Sequence, residues 1–419
     1  MKKKNSQEKP IFIERGVLSS ADMICCCLNS AIGLGSLKLG ATFTIGLIST
    51  FILFIIIWFL SFYSLKLLVL SASFYRESTF EEIWKSAFSR STVFIPSIIS
   101  ILSSLADMTA YIQAIQSSII SICTKIIVFV SDESDEMVMN LEPYKMLFGS
   151  AIFILFLLPV CVVSSTRTIV ILSYISISFI ILFTFFVIGA FGFLIKEYGY
   201  DPDHSFKFFN PKGNFAKSIS TSVFAFTFYP LTYPGIRHVK DSTKYNLTKI
   251  FLITMIFIFI YYSIIGTFSY LTFFDKNLNG TVLDYYPENS KTEKIISIFG
   301  NIIALIYILF TIPFRLNSCR YIILNAISNN STFPPDIWAF MGITMAILSL
   351  ALANFSDKFL NILFIISDVM ASFLLFFFTP LYYLRAFGFQ DRFNSFISIV
   401  LLIAGVLTII FMIIYDGFY

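Results

Sequence analysis

Long uninterrupted stretches of apolar residues, each closed by a short polar break, repeat from one end of the chain to the other. A run of about 20 such residues is long enough to cross a hydrocarbon layer of roughly 30 Å as a helix. The pattern predicts eleven spans, near 21–43, 44–73, 93–124, 146–164, 168–195, 216–236, 249–274, 295–317, 336–355, 359–384 and 395–415. Strands of a β-barrel would instead alternate over short segments. Between spans two and three, Ser78 to Arg90 mixes Phe80, Ile83, Trp84 and Phe88 with charges. This fits either a short interfacial helix or a connecting loop.

Composition sharpens the class. Of 419 residues, 57% are hydrophobic and 13% charged, with 51 Phe and 21 Tyr, far from the quarter-charged average of soluble domains. A net charge of +4 points to no nucleic-acid partner. Two His and six Cys provide little for a metal site, so none is expected, nor is a structural disulfide. No His/Cys/Asp constellation or nucleotide loop points to an enzyme. The basic, polar residues 1–15 lack the apolar core of a signal peptide and are read as a cytosolic tail.

Basic residues set the orientation, because they are retained in the cytosol. Lys2, Lys3, Lys4, Lys9 and Arg15 share a side with Arg76, Lys85, Arg90, Arg167, Arg237, Lys240, Lys244, Lys249, Arg315, Arg320, Arg385 and Arg392. That side is expected to be cytosolic. The acidic stretches 132–136 and 275–293 then lie outside or in a lumen, where Asn279 is the sequon open to glycosylation.

Two spans contain helix-breaking residues. In the first, Gly33-Leu34-Gly35-Ser36 has low helix propensity; in the sixth, Pro230 and Pro234-Gly235 remove donors. Backbone freed inside a membrane must find partners, so such breaks survive where they face protein or a watery cavity. Breaks at corresponding places in two halves point to an inverted-repeat transporter. Glycines that permit close packing and prolines that only kink are the plainer alternative.

Residues 29–39, NSAIGLGSLKL, resemble the first-helix signature of the amino acid/auxin permease family, and residues 224–241, FAFTFYPLTYPGIRHVKD, resemble its sixth-helix pattern. Residues 266–274, GTFSYLTFF, and Thr311-Ile312-Pro313 followed by Arg320 match as well, so the similarity covers about residues 16–415. Lys38, Gly40, Tyr229 and Arg315 depart from the usual pattern. The resemblance implies an all-α polytopic membrane protein with a LeuT-type fold of two inverted five-helix repeats, about 21–195 and 216–384, and an extra helix, 395–415. It also implies secondary transport of amino acids by a monomer that needs no cofactor, at a plasma membrane or a lysosome- or vacuole-like membrane. A non-transporting amino acid sensor of the same fold is the alternative.

An amino acid carries two charges whose uncompensated desolvation would be prohibitive. Free amides at a half-helix N-terminus suit its carboxylate, which assigns Gly33, Leu34, Gly35 and Ser36 to that group. Carbonyls near Phe226, Thr227 and Tyr229 would accept the ammonium, with Tyr111 and Tyr229 as walls. Asn29 and Thr311 match cation-site positions of the family's sodium-coupled branch, although such residues also bond neighbouring helices. Charges inside a membrane cost at least ~2.5 kcal/mol each on insertion scales, so they call for partners. Lys38 and Asp368 are expected to form an outer gate pair, as basic and acidic residues do in LeuT-type transporters. The alternative is that Lys38 snorkels while Asp368 bonds backbone or water. Asp107 either pairs with Arg315 or Lys38, or serves as a protonatable coupling carboxylate. Of the two coupling ions, H+ and Na+, the proton is expected, with neutral amino acids as substrates.

Overall fold

The computed structural model describes residues 10–12, 16–131, 145–152, 154, 166–198, 207–228, 233–273, 283, 286, 290–327, 333–355 and 357–416. Among these, eight helices are long and apolar enough to cross a membrane. The three other expected spans are the two with breaks and 146–164, which falls mainly outside the described residues.

The chain enters through α1, Ser20–Ala31, whose start is fixed by Ser19. The Asp22 amide donates to the Ser19 hydroxyl and the Ser19 amide to the Asp22 carboxylate, a reciprocal cap that satisfies two of the helix's unpaired donors. Helix α2, Leu34–Lys38, follows after a gap and tightens into a 3-10 turn over Leu39–Ile45. Gly46, at φ +96°, turns the chain into α3, Leu47–Tyr75. Only glycine takes that φ without a steric cost. The first amides of α3 find acceptors outside the helix, Leu47 at the Lys207 carbonyl and Ile48 at that of Phe208.

The segment left open between helix and loop is helical. This α4, Phe80–Ala87, is capped by Thr79, whose hydroxyl accepts from the Glu82 amide. Helix α5, Phe94–Ser131, runs past the expected end of span three. Helix α6 covers Lys145–Ile152, α7 Thr166–Tyr198 and α8 Phe215–Phe226. A 3-10 turn over Tyr233–His238 precedes α9, Lys244–Phe273. Helix α10, Lys291–Ile327, carries Pro313 in its interior. Helices α11, Pro335–Ala353, and α12, Asp357–Ser372, come next. A π-turn, Phe373–Phe378, joins α12 to α13, Thr379–Phe387, and α14, Arg392–Asp416, closes the chain.

Helix α10 packs along α5 and α7, α12 along α5, and α13 along α3. Its length changes one expectation. Arg320, beyond the end of the expected span 295–317, lies with Arg315 inside α10, and both are buried. The Arg320 guanidinium sits 4.5 Å from the Trp338 ring centroid and donates to the Asn317 side chain.

At one end of the bundle, the stretch before α1 lies against the stretch after the 3-10 turn. Leu18 donates to the His238 carbonyl at 2.7 Å and accepts from the Lys240 amide at 2.8 Å, and the Ile11 amide reaches the Ser242 carbonyl. A methyl group on Gly16 would lie 2.2 Å from the His238 oxygen, so only glycine permits this approach. At the other end, Asn210 donates through its amide to Ile45 and through its side chain to the Thr44 carbonyl.

Candidate functional site

These contacts make α1 and α8 antiparallel. Helix α1 starts beside Lys240 and runs inward, whereas α8 starts near Thr44 and runs inward from the opposite end. Each has 12 residues, about 18 Å of rise, and each stops in the interior. Ile32 leaves the helical region at φ −85°, ψ 77°, and Thr227 at φ −101°, ψ 92°. The chain is thus interrupted at Ile32-Gly33 in one case and leaves the helix at Thr227 in the other.

A helix end leaves its last carbonyls without intrahelical partners, and here those of Ser30, Ala31 and Ala225 find donors, Ala31 from the Gly33 amide among others. The Arg315 guanidinium donates to the Ser30 carbonyl at 2.9 Å. The Tyr262 hydroxyl, on α9, stands 2.8 Å from the Ala31 carbonyl and 2.9 Å from that of Ala225. The Ser30 hydroxyl reaches the Phe228 carbonyl at 3.4 Å. Phe226 packs edge-on against the Tyr262 ring, with centroids 5.3 Å apart. Thr227 turns back on its own helix, its hydroxyl donating to Val223 and its amide to Phe224.

Gly33 is constrained by space. A methyl there would sit 1.5 Å from the Tyr111 hydroxyl oxygen, so that ring occupies the volume any other residue would need. The Gly33 carbonyl accepts from the Ser36 amide and, at 2.7 Å, from the Ser36 hydroxyl. That hydroxyl oxygen also lies 3.3 Å from the Tyr307 hydroxyl. Gly35 approaches Ala225, with 3.4 Å from its would-be methyl to that Cα, bringing α2 against α8.

Beside the breaks, Arg315 and Asp107 form a buried ion pair. Asp107 accepts in addition from the Ser367 hydroxyl at 3.3 Å, and the guanidinium lies 4.5 Å from the Tyr111 ring centroid. Asp107 and Tyr111 are four residues apart, on one face of α5. Asn29 and Thr311 meet as well. The Asn29 side-chain oxygen accepts from the Thr311 hydroxyl at 2.9 Å, and its amide donates to the Ser173 hydroxyl at 3.2 Å. Asp368 accepts from the Ser220 hydroxyl at 3.1 Å, which joins α12 to α8. Leu34 and Lys38 are described in their backbone only, and Tyr229 and Asn279 lie outside the described residues.

Sequence reasoning passed over Tyr262 and Tyr307. Tyrosines in membrane helices favour the interfaces, whereas Tyr261 and Tyr262 fall well inside α9. A hydroxyl at such depth needs an internal partner, and that depth was the available signal.

Two helices run in from opposite ends and stop at mid-bundle, among apolar helices long enough to span a bilayer. The family model for transmembrane amino acid transporter proteins matches residues 17–415, and the chain belongs to that family. No curated protein matches it by sequence. Among solved structures, it resembles MhsT in complex with L-phenylalanine with a TM-score of 0.63 at 11% identity, covering 94% of this chain and 100% of that one. It also resembles Mhp1, a nucleobase-cation-symport-1 family transporter in a closed conformation with bound bromovinylhydantoin. There the TM-score is 0.56 at 13% identity, over 99% and 96% of the two chains. The fold is therefore that of LeuT-type transporters.

Proposed function

We propose that the chain is a secondary active transporter of neutral amino acids, working by alternating access around the two interrupted segments. The observation that carries this reading is the antiparallel meeting of two equal half-helices, cross-linked at their ends through Tyr262 and through Ser30 and Phe228. The same near-symmetry supports an arrangement of eleven spans in two inverted repeats, about 21–195 and 216–384, with 395–415 added. In this reading the substrate carboxylate sits at Gly33 to Ser36, where the amides of Leu34 and Gly35 at the start of α2 would receive it. Its ammonium meets carbonyls near Phe226, Thr227 and Tyr229, and Tyr111 forms a wall.

Neutral substrates are favoured because the Asp107 and Arg315 charges cancel. Proton coupling is favoured over sodium because the side-chain oxygen of Asn29 and the hydroxyl of Thr311 already engage each other. Lys38 and Asp368 would close the outer side, with residues 1–15 in the cytosol and Asn279 outside. Purified protein in proteoliposomes, given a panel of labelled amino acids with sodium and pH gradients imposed independently, tests the whole reading. Uptake of neutral amino acids driven by an inward proton gradient is expected. Uptake that needs sodium and ignores pH overturns the coupling, and uptake of none of the panel overturns transport.

A further inference from the structure

The Tyr262 hydroxyl stands between two carbonyls that belong to different half-helices. Ala31 is the last residue of α1 and Ala225 the penultimate residue of α8. Both carbonyls sit at the negative ends of their helix dipoles, where positive charge is stabilised. In broken-helix transporters, such half-helix C-terminal ends and unwound carbonyls are where a coupling cation is coordinated, since a hard cation takes oxygen ligands. Here one side-chain O–H, fully buried and at hydrogen-bond distance from both oxygens, fills that place.

We propose that the Tyr262 hydroxyl is a built-in substitute for a cation at the junction of the two half-helices, a positioning residue that holds Ala31 and Ala225 together and excludes sodium from between them. A hydroxyl has one proton to donate, so it serves the two carbonyls as a shared or alternating donor. It therefore tolerates a small shift of one half-helix against the other. A cation would leave with its gradient, whereas the tyrosine is covalently retained, and the junction needs no ion to stay assembled. The proposal rests on the transport reading only for its place in a transport cycle; the contact itself is independent of substrate.

The test is the melting of purified full-length protein in sodium chloride and in choline chloride at equal ionic strength, for wild type, Tyr262→Phe and Tyr63→Phe. The last variant removes a part-buried tyrosine hydrogen bond that joins α3 to α14, that of Tyr63 to the Asn394 side chain at 2.6 Å. In choline, Tyr262→Phe is expected to melt about 2 °C or more below wild type, and sodium is expected to recover part of that loss. The decisive quantity is the sodium-minus-choline difference. A larger difference for Tyr262→Phe than for wild type and Tyr63→Phe supports the proposal, and an equal or smaller one overturns it. Tyr262→Phe that fails to fold in either salt while Tyr63→Phe folds overturns it too. Wild-type vesicles that take up no amino acid would overturn the transport reading, and the melting comparison would still decide the role of Tyr262.

Discussion

Removing either member of the Asp107–Arg315 pair should cost far more than removing both. Breaking a buried pair from one side leaves an uncompensated charge, worth about 3–5 kcal/mol. Asp107→Asn strands the guanidinium, which keeps its bond to the Ser30 carbonyl and its place beside Tyr111. Arg315→Met strands the carboxylate, leaves it the Ser367 hydroxyl, and also takes the donor from Ser30, an added loss of about 1–3 kcal/mol. The double variant has no stranded charge and keeps only that last cost. If the effects were additive, the two singles would predict at least about 7 kcal/mol for the double; the structure predicts about 1–3. The assay is the fraction of monodisperse protein after heating in detergent, for all four proteins. The double variant should melt above both singles. If it melts at or below the weaker single, the pair is not the isolated buried unit described here.

Gly33→Ala puts a methyl 1.5 Å from the Tyr111 hydroxyl, and overpacking of this kind costs about 1–3 kcal/mol. Uptake with a KM about tenfold higher is expected, recovered only in part by adding Tyr111→Phe, because the ring carbon left behind is still 2.7 Å away. Unchanged KM in Gly33→Ala counts against that ring position. Burial raises the Glu81 carboxyl above its ordinary value of 4.5. The native protein therefore holds a proton that the unfolded chain releases, so stability falls as pH rises from about 4.5 towards the folded value and stays lower beyond it. Glu81→Gln should melt above wild type at pH 8, with the gap narrowing towards pH 4.5; a gap independent of pH refutes this. Gly16→Ala should lift the stretch before α1, a strap over residues 238–240, off its partner, and hydrogen exchange at the Leu18 and Lys240 amides should speed up about fivefold, as expected for losing about 1 kcal/mol per bond. Unchanged exchange there means the strap tolerates the methyl.

Long apolar runs made most of the bundle readable, because a spanning helix is a local property of about 20 residues. The breaks were readable in kind but not in place. Residues 33–36 looked open, yet Leu34, Gly35 and Ser36 are helical, and both the amide and the hydroxyl of Ser36 donate to the Gly33 carbonyl. The partner of Asp107 was either Arg315 or Lys38 until the fold joined positions 208 residues apart. Tyr262 was hidden among 21 tyrosines and 51 phenylalanines. What distinguishes it is contact with residues 231 and 37 positions away, a distance no local pattern encodes. The strap was equally silent, for its bonds are between backbone groups, which every residue carries.

That strap has a mechanical consequence. Leu18 is bonded to residues on both sides of Val239, two positions before α1 begins, while the 3-10 turn it grips is the continuation of the other interrupted segment. The two interrupted segments are thereby tied together at one end of the molecule. Tilting the first outward there must either drag the second along or break these two hydrogen bonds.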